Sequence, residues 1–398
     1  MNLAVFLLAV ATFAAFYILI LYPVLLAVLR PVPKPPIQKD PQFQASVSVL
    51  IAVYNGQAFL RGKLESLFAL DYPRRLVQII IVSDGSTDDT DAIAAEFESS
   101  GVRLLRVPKG GKAAALNAAL LLATGEILFF TDVRQPLDTQ SLSHLVANFA
   151  DPTVGAVTGE LHLLKGDRGE QSDMDLYWRY EIWARSRHSR IDSLFNTTGC
   201  IYAMRRRLAV PLPPDTLTDD AFLPQQAFFQ GYRIAFDPEA VAYDYPALAG
   251  TEFQRRMRTL AGLWQVFVRE PRFFTGSRMR WHFLSHKFGR LVLPWTLLVI
   301  FIATFFLPSA SWRNTLLLNE ALLFVLAALD HFVPKGFRLK RISSPARTFL
   351  VMNAAAMAAV VVFFVPASRL WSPTRVKDGA GDLLPKTPSN PVIPPGNN

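Results

Sequence analysis

Two short apolar runs that stop at polar turns constrain this fold more than any other part of the sequence. The first is Val47-Ser48-Val49-Leu50-Ile51-Ala52-Val53, followed by Tyr54-Asn55-Gly56. The second is Val77-Gln78-Ile79-Ile80-Ile81-Val82-Ser83, followed by Asp84-Gly85-Ser86-Thr87-Asp88. Each is too short for a buried helix, is rich in β-branched residues and leads into a helical pattern. That combination marks strands of a parallel α/β sheet covered on both faces. Ligands of such sheets bind beyond the carboxyl ends of the strands. Tyr54, Asn55 and Asp84 at two such ends therefore describe a nucleotide pocket better than they describe surface loops.

The chain has 398 residues, 51% of them hydrophobic, and the apolar excess lies at its ends. Residues 3–29 carry no charge and exceed the ~20 residues that cross a bilayer. This run starts uncharged and ends in Arg30 and a Pro-rich stretch, unlike a cleaved signal peptide. The sequence thus divides into an N-terminal membrane anchor (1–30), a Pro-rich linker (31–45), a soluble α/β domain (46–250), amphipathic interfacial helices (251–289), membrane helices (290–367) and a disordered tail (368–398). Apolar stretches at Leu291 to Leu307, Leu316 to Leu329 and Phe349 to Val365 give two or three C-terminal spans.

Arg30, Lys34 and Lys39 follow the first span, and Lys335, Arg338, Lys340, Arg341 and Arg347 precede the last. Both groups favour the cytoplasm, which predicts an integral plasma-membrane protein whose soluble domain is cytosolic. Arg369, Arg375 and Lys377 favour the cytoplasm as well, although strict alternation of spans would put the tail outside. The net charge of +9 sits largely beside membrane segments and on one helix. Anionic lipids and a phosphorylated substrate account for it, without nucleic acid. The single Cys200 provides neither a disulfide nor a cysteine-based metal site.

Four further segments carry chemistry. Gly110-Gly111-Lys112 follows the short strand Val102 to Val107 and opens a helix bearing Asn117. Freed amides and a lysine suit a phosphate, and they also suit an ordinary loop. Ile127-Leu128-Phe129-Phe130-Thr131-Asp132-Val133-Arg134 delivers Asp132 to the same sheet edge, either to hold a divalent cation against a diphosphate or to cap the next helix. Thr218-Asp219-Asp220 starts an amphipathic stretch. Its acids either complement the helix dipole or supply a general base. Finally, Phe253, Met257, Leu260, Trp264 and Phe267 share one helical face, with Gln254, Arg255, Arg256 and Arg258 off it. Such a helix lies along a membrane interface, where its arginines meet lipid headgroups or a pyrophosphate leaving group.

In this order, from about Ser46 to Trp264, the motifs resemble the membrane-bound family 2 glycosyltransferases, the group of hyaluronan, cellulose and poly-N-acetylglucosamine synthases and many exopolysaccharide transferases. The resemblance implies a GT-A fold, an α/β nucleotide-sugar-binding domain with a mostly parallel sheet, flanked by one N-terminal and two or three C-terminal transmembrane helices. It implies that Ala52, Tyr54 and Asp84, with Asn55 beside them, hold the uridine of a UDP-sugar, and that Lys112 and Asn117 line the donor site. Asp132 would bind Mg²⁺ or Mn²⁺ on the diphosphate. Thr218-Asp219-Asp220 matches the family's Thr-Glu-Asp motif, so the catalytic base falls on Asp220 with Asp219 beside it. Asn196-Thr197-Thr198-Gly199-Cys200 resembles the small-residue loop near the acceptor, and Gln254, Arg255 and Arg258 correspond loosely to a diphosphate-binding Gln-x-x-Arg-Trp motif.

Two positions depart from that pattern. Arg134 stands where the family has a second acid, leaving Asp132 to share any metal with water and phosphate oxygens. No tryptophan follows Arg258 in the expected place, and Trp264 comes two turns later, which removes the usual signature of processive synthases. The expected function is an inverting transfer of a sugar from a nucleotide sugar to a polysaccharide or lipid-linked acceptor, within a complex of partner subunits in some settings. The alternative is a catalytically inactive nucleotide-binding subunit of a polysaccharide assembly complex. A transporter would need charged or broken helices at mid-membrane, and only Glu320 and Pro294 approach that description.

Overall fold

Alternation within the strands builds the centre of the molecule. In the computed structural model, which describes residues 2–29, 34–163, 171–244, 252–334 and 336–370, Val47–Val53 (β1) and Val77–Asp84 (β2) pair in parallel as expected. Val47, Val49, Ile51, Val53, Ile79 and Ile81 enter one buried cluster, and Leu50, Ile80 and Val82 enter another on the opposite face. Val102–Val107 (β3) and Ile127–Phe130 (β4) extend the parallel sheet on either side. Val154–Leu163 (β5), Tyr202–Arg205 (β6) and Arg233–Asp244 (β7) complete seven strands in the order β3-β2-β1-β4-β6-β5-β7. Only β6 runs against its neighbours, so the sheet is mostly parallel. This arrangement bears out the expected fold class.

Helices named below are Leu3–Val28 (α1), Gln57–Phe68 (α2), Lys112–Leu122 (α3), Gln171–Ile191 (α4), Asp219–Phe229 (α5), Glu252–Arg269 (α6), Arg280–Phe305 (α7), Ala310–Leu329 (α8) and Lys340–Phe363 (α9). α1, α7, α8 and α9 are long and apolar enough to cross a membrane, one before the sheet domain and three after it. Each C-terminal one begins earlier than its apolar run, because polar residues such as Arg280 and Lys340 continue the helix. The tail 371–398, Arg30 to Pro33 and Lys335 lie outside the described residues.

The sheet domain shares one core with the start of α7, one of the candidate membrane helices. Phe267 of α6 packs its ring 5.1 Å from Phe195 and Phe273 and 5.2 Å from Phe288, and Phe283 of α7 joins Phe195 and Phe228 at 5.2 Å. These rings belong to the same cluster as Leu50 and Phe130 of the sheet. Much of the apolar face of α6 is therefore covered by protein: Ala261 is fully buried against Ala359, and Trp264 meets Phe363 at 5.9 Å, while Phe253 at its start stays exposed.

Chain direction follows from three contacts. Tyr22, near the end of α1, meets His282 at the start of α7, while Leu3 and Ile302 line one cavity at the other end, so α1 and α7 are antiparallel. α7 thus leaves the sheet domain, and α9 ends back at α6, where Leu370 packs beside Ala261. α8 runs back along α7, with Glu320 bonded to Thr304 and Phe324 6.2 Å from Phe301.

A backbone approach in β5 offers a stability test. A β-carbon on Gly159 would lie 2.2 Å from the Ala240 carbonyl oxygen, at the register shift between β5 and β7. Backbone cannot yield as a flexible side chain does, so Gly159→Ala is expected to cost about 1–3 kcal/mol and lower the melting temperature in detergent. Gly276→Ala, with nothing within 4 Å of the added carbon, should stay within about 0.5 kcal/mol of the parent. Equal melting temperatures for the two variants would contradict this reading of the β5–β7 seam.

Candidate active site

The carboxyl ends of β1, β2 and β4 open on one edge, and the turns that follow them face one another. After β1, Asn55 adopts a positive φ of 49°, which asparagine tolerates better than most residues. Its Oδ1 accepts the Thr87 N–H at 2.8 Å and its own N–H donates to Ser86 Oγ at 3.1 Å, so Asn55 ties the β1 turn to the β2 turn. Tyr54 beside it carries the Lys109 ammonium 2.8 Å from its ring centroid, a cation–π contact. Ala52 packs partly buried on the sheet core below.

Asp84 ends β2 and is almost fully buried. Its carboxylate accepts the Gly110 N–H at 2.7 Å and the Gly111 N–H at 2.9 Å. The two amides expected to cradle a phosphate are thus already engaged by Asp84. Gly85, at φ 67°, lets this happen, because a β-carbon there would sit 2.9 Å from the Lys109 backbone nitrogen. Asn117, expected in the donor site, instead exchanges two hydrogen bonds with the Leu212 backbone, at 2.8 and 2.7 Å. It pins the loop that leads to Thr218.

At the centre stands Lys112, the first residue of α3. Its Nζ lies 2.9 Å from Asp132 Oδ1 and 3.0 Å from Asp219 Oδ1. Burial opposes the charged amine, yet the Asp132 and Asp219 carboxylates outweigh it and hold the lysine above its ordinary pKa. Asp219 also accepts the Tyr202 hydroxyl at 3.0 Å. Asp220, next to it, is only partly exposed. Burial first, and the neighbouring Asp219 charge second, push its pKa up to about 7. A carboxylate poised near neutrality suits proton abstraction.

Around Asp220 lie the acceptor-loop residues. The Thr197 N–H and Oγ1 both donate to the Asp220 carbonyl at 2.9 Å. A β-carbon on Gly199 would stand 3.6 Å from the Asp220 carboxyl carbon, so the glycine leaves that carboxyl open. Thr198 Oγ1 accepts a hydrogen bond from Arg185. Cys200 does not face the cleft: it is buried in the sheet core, burial raises its thiol pKa, and its carbonyl accepts from Thr131 Oγ1 at 2.7 Å.

The arginines divide. Arg134 makes a two-pronged pair with buried Asp244, at 3.0 and 2.8 Å, rather than pointing freely at a diphosphate. Arg258 of α6 is half-buried; desolvation lowers its pKa, and the Asp132 and Asp220 charges oppose that shift. Arg255 lies close enough to Arg258 to repel it, and Gln254 is exposed. For a divalent cation the protein offers Asp132, whose Oδ2 takes no hydrogen bond among the described residues. One carboxylate is a minimal protein share for Mg²⁺ or Mn²⁺, the rest coming from water and phosphate oxygens. The donor set fits that mode.

Sequence reasoning missed several contributors. Lys63 lies on the buried face of α2 with Leu60, Leu64 and Leu67 and donates to Thr131 Oγ1 and the Gln135 carbonyl, each at 2.6 Å. Burial lowers its pKa to about 7. A lysine in register with three leucines was a readable signal. Tyr202, Asp244 and Arg185 gave none, since their partners are distant in sequence.

Residues 48–210 match the family model described as glycosyl transferase family 2. The poly-beta-1,6-N-acetyl-D-glucosamine synthase of Staphylococcus epidermidis is 24% identical over 242 residues, covering 59% of this chain and 58% of that protein. The synthase of Staphylococcus aureus (strain COL) is 24% identical over 232 residues, 56% of each. The chain thus spans a little over half the length of these curated relatives. Among solved structures, the mannosyltransferase PcManGT from Pyrobaculum calidifontis, in complex with GDP-Man and Mn2+, has a TM-score of 0.72 at 25% identity, covering 90% of this chain and 98% of that one. The fold is of GT-A type, and the match to glycosyl transferase family 2 lies within the sheet domain.

The relocated Asn117 yields a test. Asn117→Ala removes two reciprocal hydrogen bonds and is expected to lower stability by about 1–3 kcal/mol. Affinity for UDP or GDP, measured by calorimetry on the folded fraction, should not change. Lost nucleotide affinity at an unchanged melting temperature would return Asn117 to the donor site.

Proposed function

We propose that this chain is an inverting family 2 glycosyltransferase of the cytoplasmic membrane face, moving a sugar from a nucleotide sugar to a hydroxyl of a lipid-linked or polysaccharide acceptor. The observation that carries the reading is Asp220, a carboxylate with a pKa near 7, set beside the Lys112 and Arg258 cations. Asp220 takes the acceptor hydroxyl proton. The oxygen attacks the anomeric carbon from the face opposite the leaving group, and the bond from that carbon to the diphosphate oxygen breaks. Lys112 and Arg258 supply fixed positive charge where the leaving diphosphate gathers negative charge. Asp219, held by Lys112 and Tyr202, keeps the Asp220 proton affinity high.

A divalent cation on Asp132 would add charge neutralisation to the diphosphate when bound. Lys112 shares Asp132, so donor and metal have to compete with or rearrange the lysine pair. Family resemblance to polysaccharide synthases favours a uridine sugar, whereas the similar mannosyltransferase structure holds GDP-Man. The start of α7, which shares a core with the catalytic domain, supports an acceptor that reaches Asp220 along the bilayer surface.

Nucleoside diphosphate release from purified protein, with UDP-N-acetylglucosamine or GDP-mannose, with Mg²⁺, Mn²⁺ or EDTA and with membrane lipid extract, tests this. One donor should turn over and EDTA should slow it. Asp220→Asn should bind that donor normally and lose about 10²–10⁴-fold in kcat. Normal turnover by Asp220→Asn would overturn the base assignment, and tight donor binding without turnover would favour an inactive nucleotide-binding subunit.

The raised Asp220 pKa also sets the pH dependence. The base works only when ionised, so kcat should fall as pH drops through about 7. An acid limb near pH 4, the ordinary carboxylate range, would show that Asp220 is not the group being titrated.

A further inference from the structure

Arg185 connects the acceptor loop to a membrane helix. From α4 its Nη1 donates to Thr198 Oγ1 at 2.5 Å and its Nη2 to the Thr197 carbonyl at 3.2 Å. Thr197 in turn grips the Asp220 carbonyl twice, and Gly199 lies against the Asp220 carboxyl. One guanidinium therefore secures both threonines of the wall beside the base.

On its other side Arg185 faces Glu181, one turn earlier on α4, with Nε 3.7 Å from Oε1. Glu181 is buried and receives Lys287 on one oxygen and Arg290 on the other, at 2.6 Å for the latter. Both cations belong to α7. Burial opposes ionisation of Glu181, and Arg290 and Lys287 outweigh it, holding the carboxyl well below its ordinary range. An uncompensated buried charge is strongly destabilising, so this carboxylate fixes α4 to α7, with the Arg185 guanidinium as its ion-pair neighbour at 3.7 Å.

We propose that Arg185 is a positioning residue for the acceptor step: it holds the Thr197–Thr198 loop against Asp220, and Glu181 registers it to membrane helix α7. The chemistry rests on the reading of Asp220 as the base. Acceptor geometry is then set by the seat of the catalytic domain on the membrane helix, and not by the soluble domain alone. Charged groups facing Asp220 are Asp219 on its own helix, Lys112 from α3, Asp132 beyond β4, Arg258 from α6 and Arg185 from α4. Arg185 favours the ionised base, so its removal raises the pH at which Asp220 releases its proton.

Full-length Arg185→Gln, Arg185→Lys, Glu181→Gln and Asp220→Asn are compared for sugar transfer into membrane lipid extract, for donor KM, for the pH profile of kcat and for melting temperature. Arg185→Gln should lower kcat about 10–100-fold, the scale of a misplaced reacting group, with donor KM unchanged and the acid limb moved to higher pH. Arg185→Lys should keep the limb in place and recover only part of kcat, because an ammonium lacks the planar fork that reaches both threonines. Glu181→Gln should lower kcat with donor KM unchanged.

Wild-type kcat and acid limb in Arg185→Gln overturn the proposal. So does an equal loss in Arg185→Lys with an unmoved limb and a lowered melting temperature, which marks a purely structural arginine. Full kcat in Glu181→Gln overturns the registration to α7. Full kcat in Asp220→Asn instead overturns the base assignment and leaves the Arg185 contacts without that chemistry.

Discussion

The Lys112 ammonium, shared between Asp132 and Asp219, is the interaction on which the rest of the site depends. Three acids converge on one sheet edge, and without a cation among them their mutual repulsion would drive at least one to take a proton. Lys112 compensates Asp132 and Asp219, and Asp220, next in line, absorbs the remaining cost as a raised pKa. The base is thus tuned by its neighbour's pairing. A donor diphosphate, itself anionic, enters a site whose lysine is committed elsewhere, so binding and the charge state of the base are linked through a single side chain.

The second constraint is mechanical. The ring cluster around Phe195, Phe267 and Phe283 makes the start of α7 part of the catalytic core, and Glu181 adds an ionic seam between α4 and the same helix. Few parts of the acceptor side can shift without disturbing the membrane helix. α6, most of whose apolar face packs on the core and on the end of α9, carries Arg258 towards Asp132 and Asp220.

Much of this could be read from the sequence because buried parallel strands are local signals. β1, β2 and β4 were legible as apolar runs, and the acids after them followed from the strand ends. Thr218-Asp219-Asp220 was legible as the acidic start of a helix, which the structure has at Asp219–Phe229. Asn117, Gly110 and Gly111 admitted more than one use, since a polar side chain or amide near a pocket can also be bonded by the protein itself: by Leu212 in one case and by Asp84 in the other. The Arg134–Asp244 and Glu181–Arg290 pairs join residues far apart in the chain, and no periodicity encodes them.

The central claim is a single displacement assisted by one carboxylate base. Its most direct test is the anomeric configuration of the newly formed linkage, read by proton NMR on the first transfer product made from an isotopically labelled donor. The account predicts a configuration opposite to that of the donor. Retention of the donor's configuration would contradict it, since a lone base beside a diphosphate leaving group provides no second displacement.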